Sequence, residues 1–297
     1  MRTWIPGGDG GHVLAFYINI VMNGLLTGLI YGLAALGLSL IFTVTRIVNY
    51  AHGGLMALGL CGASALASRH GVDPLLAMPA VAVALFFGGF LSYRLLIGHI
   101  AAVPDHPRTA ATLGLALILA GALTLLPGAA SHAGVTTDAL ALGPLLFDRV
   151  TLRAALMAGI VTALLALFFN LSQTGKAIRA CADNPFGARA IGLNLERLRA
   201  ATFGLGAAIT GIAGCLLTRS VDVRQSLAPD LLTLGLTVAL VGGLGSVEGA
   251  LLGGMVIGIA EGLAGALLSP PLRELGAATA VLLVLLYRPQ GLLGQSE

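Results

Sequence analysis

The stretch that decides the fold is Phe16-Tyr17-Ile18-Asn19-Ile20-Val21-Met22-Asn23-Gly24-Leu25-Leu26-Thr27-Gly28-Leu29-Ile30-Tyr31-Gly32-Leu33-Ala34-Ala35-Leu36-Gly37-Leu38-Ser39-Leu40-Ile41-Phe42. It holds no charged side chain and exceeds the roughly 20 apolar residues a bilayer-crossing helix needs. Comparable apolar runs fall near 47–69, 75–97, 109–127, 151–172, 201–219, 248–268 and 274–287, and a shorter one covers 231–245. The sequence therefore predicts an all-α polytopic membrane protein with about eight to nine transmembrane or re-entrant helices. These runs fill nearly all of 1–297, so a single integral membrane domain is expected, embedded in the lipid bilayer.

Composition agrees. Of 297 residues, 57% are hydrophobic and 10% charged, against about 25% charged in soluble chains. Mean hydropathy is +0.95. So little charge excludes a soluble enzyme, a disordered chain and a nucleic-acid-binding domain. The 42 glycines among apolar residues suit helices packed inside a membrane. Gly24, Gly28 and Gly32 share one helix face, as do Gly254, Gly258, Gly262 and Ala266. Both faces read as sites of close helix packing. Cys61, Cys181 and Cys215 lie far apart and suggest neither a disulfide framework nor a metal site. The N-terminus, with Arg2 as its only base and Pro6-Gly7-Gly8 interrupting it, does not read as a signal peptide.

The one long polar connection, 173–200, carries Lys176, Arg179, Arg189, Arg197 and Arg199 against Asp183 and Glu196. Excess Lys and Arg mark cytoplasmic loops. With nine spans, Arg46, Arg94, Arg108 and Arg288 join that side, and Arg2, Arg69, Arg149, Arg153, Arg219, Arg224 and Arg273 lie opposite, with the 128–150 loop facing outward. Within 173–200, Asn184 is a good N-cap and Pro185 suits a first helical position. The segment from Pro185 through Phe186 and Arg189 to Ile191 makes about two turns, which Gly192 can close. Asn194 offers a second N-cap. This short helix outside the membrane reads either as a surface elbow or as a docking element for a partner.

Polar groups inside spans face a cavity or a partner. Asn23, Asn49, His52, Ser246 and Glu261 are the candidates to border a translocation path. On a helix, Asn49 and His52 would share a face. The run Gly242-Gly243-Leu244-Gly245-Ser246 permits a sharp turn or broken helix. Catalytic residues are not expected. There is no Gly-x-Ser-x-Gly, no His-Glu-x-x-His and no Walker A loop; Thr174-Gly175-Lys176-Ala177 lacks both the earlier glycine and the following Ser or Thr. Hydrolysis of ATP by this chain is therefore not expected.

The motifs taken in order resemble a known family. Asn23-Gly24 through Tyr31-Gly32-Leu33-Ala34-Ala35-Leu36-Gly37-Leu38, then Arg46-Ile47-Val48-Asn49-Tyr50-Ala51-His52-Gly53, is similar to the amino-terminal signature of Liv-type permeases. These are the membrane subunits of ABC importers for branched-chain amino acids. Gly175 to Asn184, Ala190-Ile191-Gly192-Leu193-Asn194, Gly242 to Ser246 and Tyr287-Arg288-Pro289-Gln290-Gly291-Leu292-Leu293-Gly294 continue the resemblance. It implies a bacterial inner-membrane location and alternating access driven by two separate ATP-binding subunits. It also implies a second homologous permease and an external solute-binding protein. The chain itself would need no cofactor, ATP being bound by the partners. By position, the coupling role falls on Arg179, Asn184, Pro185, Phe186, Arg189, Ile191 and Gly192. Two departures bear on the solute. Leu234-Gly235-Leu236 stands where the family often has Lys-Ala-Phe, and 220–230 lacks the usual Pro-x-x-Gly. Urea and short amides are carried by the same superfamily, and an ion-coupled transporter using Glu261, or an intramembrane enzyme using His52 or Ser246, are the other readings.

Overall fold

The computed structural model describes residues 10–100, 105–125, 139–142, 145–218, 221 and 227–294. Most of the 128–150 loop, and Arg2, Arg219 and Arg224, lie outside them. Eleven α-helices are described: α1 (Gly10–Thr45), α2 (His52–His70), α3 (Pro74–Ser92), α4 (Asp105–Thr124), α5 (Arg149–Leu171), α6 (Gln173–Asp183), α7 (Pro185–Ala190), α8 (Leu195–Leu216), α9 (Leu227–Gly242), α10 (Val247–Leu267) and α11 (Arg273–Tyr287). Seven of the helical segments are long and apolar enough to cross a membrane. The protein is an all-α polytopic membrane protein, with one small hairpin, β1 (Ala139–Leu142) paired antiparallel to β2 (Leu145–Asp148).

α2 is not among the seven, although the sequence predicts a span there. Its first thirteen residues are mostly buried, so little of it meets lipid and its composition is freed from that demand. α9 has only 16 residues, about 24 Å of helix against the roughly 30 Å of a bilayer core. It starts beside the first turn of α2, where Gly53 meets Ala228 and Leu232.

Glycine contacts give the helix directions. Gly24 lies against Gly258, Gly28 against Gly254, and Gly32 against Ala250 and Leu251. The two small-residue faces read from the sequence thus pack on each other, with α1 and α10 antiparallel. The absent Cβ atoms are what allow it. Gly37 meets Gly206 and Thr210, which sets α1 antiparallel to α8. Met56 and Leu60 meet Gly214, and Cys215 Sγ reaches the Gly59 carbonyl at 3.4 Å, so α2 runs parallel to α8. α3 is antiparallel to α8, with Gly89 at Gly204 and Val81 at Gly211.

The hairpin and α7 therefore sit at opposite ends of the bundle. α1 begins at the hairpin end, where Asn19 and Asn23 hold Leu146. α8 begins at the α7 end. Arg46, Arg94, Arg108 and Arg288 fall at the α7 end by these directions, and Arg69, Arg149, Arg153 and Arg273 at the hairpin end.

Candidate functional site

The connection between α1 and α2 is not helical. α1 ends where Arg46 turns left-handed, at φ 55°, and Ile47-Val48 that follow are in neither helix nor strand. Burial alternates along it: Ile47, Asn49 and Ala51 are buried, Arg46 is exposed, and Val48 and Tyr50 are half-buried. Thr112 of α4 supports this segment twice. Its hydroxyl faces the Val48 carbonyl at 3.3 Å and accepts from the Tyr50 N–H at 3.4 Å. Asn49 Oδ1 accepts from Ala51 N–H at 3.1 Å, and the Asn49 carbonyl accepts from His52 N–H. Asn49 therefore lies before α2, and the shared helical face expected for Asn49 and His52 does not exist. The side-chain turn from Asn49 to Ala51 competes with helix at this point.

His52 opens α2 and is completely buried. Its Nδ1 lies 3.2 Å from Thr210 Oγ1, and that hydroxyl donates its hydrogen to the Gly206 carbonyl at 2.8 Å. Nε2 points at Gly235, where a Cβ would stand 2.5 Å away. Among the described residues, His52 Nε2 and Asn49 Nδ2 have no partner. Thr210 lies eleven residues beyond Arg199 along α8, about 16 Å, so the cluster sits deep in the bundle.

The other path candidates lie elsewhere. Asn23 Nδ2 donates to the Leu146 carbonyl at 3.0 Å, and Asn19 Oδ1 accepts from Leu146 N–H at 2.7 Å, so the pair clamps the hairpin onto α1. Beside it is a cavity of about 290 Å³ bounded by Phe16, Asn19, Asn23, Thr27 and Arg273. Glu261 is buried next to it, accepting from Tyr31 Oη at 3.0 Å, with Arg273 at 4.0 Å. A carboxylate inside a span needs such partners. Ser246 is at the opposite end, capping α10 by accepting from Gly249 N–H at 2.9 Å. The 242–246 run is a tight turn, with Gly243 at φ 102° and Gly245 at φ 87°. The C-terminal motif closes over it through Leu292 N–H to Val241 and Leu293 N–H to Gly242. The five residues thus form three separate groups.

The 173–200 segment takes the local form the sequence predicts. Asn184 Oδ1 accepts from Gly187 N–H at 2.8 Å, and Pro185 begins α7. Gly192 closes it at φ 85°, and Asn194 caps α8. Ala188 anchors α7 in the core, while Phe186 is 85% exposed and Ile191 75% exposed. Arg189 is exposed as well. Arg179 is used differently: its guanidinium donates to the Phe169 carbonyl, fixing α6 against α5. Burial pushes the Cys181 thiol up from its ordinary value.

A family model described as the permease component of branched-chain amino acid transport systems matches residues 20–287. The chain belongs to this permease family. It is 29% identical to the high-affinity branched-chain amino acid transport permease BraD of Pseudomonas aeruginosa, over 95% of this chain and 97% of that one. It is 28% identical to LivH of Escherichia coli K12 over the same shares. The identity is 32% to a probable LivH of Methanocaldococcus jannaschii, over 78% and 76% of the two chains. Among solved structures, PsaBC from Streptococcus pneumoniae in complex with a Fab has the same fold, with a TM-score of 0.55 at 14% identity, covering 93% of this chain and 97% of that one.

Family membership favours a transport component over the ion-coupled and enzymatic readings. In this permease, sequence reading missed Thr112, Thr210, Gly235 and Tyr31. Threonines in spans commonly bond back to their own helix, as Thr27 and Thr202 do here, so Thr112 and Thr210 carry no distinguishing local signal.

Proposed function

We propose that this permease is the membrane subunit of an ABC importer moving branched-chain or related amino acids across a bacterial inner membrane. In this reading the 173–200 loop faces the cytoplasm and the 128–150 loop faces outward. Two ATP-binding subunits bind and hydrolyse ATP, a second homologous permease completes the membrane part, and an external binding protein delivers the solute. ATP-driven closure of the partner subunits pushes on α7, and the spans tilt between outward-open and inward-open states. This chain does no covalent chemistry.

The observation that carries the reading is α7. A six-residue helix is marginal alone, yet this one is fixed by the Asn184 cap, the buried Ala188 and the Gly192 turn. Those constraints hold Phe186, Arg189 and Ile191 outward, an apolar and basic surface left uncovered among the described residues. Such a rigid exposed helix suits a groove on a partner. Arg179 acts from behind, holding α6. Asn23, Glu261 and the cavity beside Arg273 flank the entrance of the proposed route, and Asn49 and His52 its middle. Ser246 caps the exit end.

The test is binding-protein-stimulated ATPase activity of the reconstituted complex. Arg189→Glu and Phe186→Ala are expected to abolish the stimulation while leaving the melting temperature of the permease unchanged. Undiminished stimulation in both variants would remove the docking role.

A further inference from the structure

The 46–51 segment carries non-helical backbone from the exposed Arg46 at the α7 end of the bundle inward to the buried His52. Backbone of that kind is tolerated only when buried in protein or facing a water-filled cavity. One side of the segment meets the first condition. Ile47 and Ala51 pack into a cluster with Tyr93, Ile97, Leu115, Ala200 and Phe203, and Asn49 is wholly enclosed. The other side does not. Val48 and Tyr50 stay half-open, and among the described residues the N–H groups of Val48 and Asn49 meet no acceptor. A lipid chain offers none either.

We infer that the open face of segment 46–51, carrying Val48 and Tyr50, lines the water-filled route of the solute. The inference rests on the transport reading above and gives it a surface. The residues that meet a passing small solute are then Val48, with an apolar contact, and Tyr50, with an aromatic face and a hydroxyl. Asn49 and His52 stand behind them and set their position. Thr112 holds the segment at the Val48 carbonyl and the Tyr50 N–H, and the alternating burial leaves Val48 and Tyr50 on the open side.

The experiment compares Val48→Cys, Tyr50→Cys and Ile47→Cys in the assembled complex in native membranes. The probes are a charged, membrane-impermeant methanethiosulfonate and a lipophilic maleimide. The native cysteines are buried, so the parent protein supplies the background. Cysteine reaction follows access, so the charged probe is expected to modify positions 48 and 50 at least about tenfold faster than 47. Added solute should slow it. Modification of 48 and 50 by the maleimide alone would mean they face lipid, and no modification by either probe would mean protein covers them. Both results overturn the inference. Val48→Cys is a small change and keeps the test decisive if Tyr50→Cys fails to assemble. Stimulated ATPase activity is read on the same membranes. Charged-probe access without stimulation would keep the water route and remove the importer reading. Stimulation without access would do the reverse.

Discussion

The α1–α10 seam and the 46–51 segment lie in one bundle and solve the membrane problem in opposite ways. In the seam, two glycine faces at four-residue spacing bring helix backbones into contact. Each backbone is satisfied within its own helix, and a Cβ at Gly24, Gly28, Gly254 or Gly258 would run into main-chain atoms of the facing helix. In the 46–51 segment the helix is given up. Thr112 on a neighbouring helix supports it by hydrogen bonds, and among the described residues Asn49 Nδ2 and His52 Nε2 have no partner. The seam is a place of fixed packing. The segment retains hydrogen-bonding capacity, which costs stability in a membrane interior and is kept where something passes or moves.

The sharpest way to break this contrast is to fill the seam. A Cβ at Gly28 would stand 2.6 Å from the Gly254 carbonyl oxygen and 2.7 Å from Met255 Cα, both main-chain atoms. Gly28→Val is expected to cost at least the ~1–3 kcal/mol typical of overpacking, and folded permease should vanish from detergent extracts. Normal yield and melting temperature would show that the seam is looser than described.

Thr112→Val comes next. It keeps the shape of the side chain and removes both contacts with the segment, at an expected cost of about 1–3 kcal/mol for the stranded backbone groups. Solute uptake should fall more than stability does, and Thr112→Ser should restore both. Equal loss of uptake in Thr112→Ser would point to packing rather than the hydroxyl.

The smallest expected stability effect is at α7. Asn184→Ala removes the cap and should cost about 1 kcal/mol locally, with little change in global melting. It should lower stimulated ATPase activity through fraying of the helix, seen as faster amide exchange at Gly187 and Ala188. Unchanged exchange there would show that the buried Ala188 alone fixes the helix.

Much of this was legible in the sequence, for reasons the same regions illustrate. The runs of the spans, the glycine faces, the Asn184-Pro185 start and the Gly192 stop are local features, decided by residue type and spacing. The helix break at 46–51 was not, although Ile47-Val48 and the Asn49 turn hint at it. Asn49 and His52 at three-residue spacing read equally well as a helical face, and the Thr112 contacts that hold the non-helical form come from α4, far away in the chain. Asn23, Glu261 and Ser246 read as one polar set because each is polar in an apolar run. Their depth along the bundle, which separates them, is set by packing between distant helices. The hairpin of β1 and β2 left no mark beyond a loop, and its hold on α1 runs through Asn19 and Asn23, far away in the chain.

The most direct test of the account is to purify the tagged permease from gently solubilised native membranes and identify what accompanies it. Two ATP-binding subunits and a second permease are the predicted companions, with the ATPases lost when Phe186 and Arg189 are replaced. A homogeneous oligomer of this chain, with no ATPase bound, would contradict it.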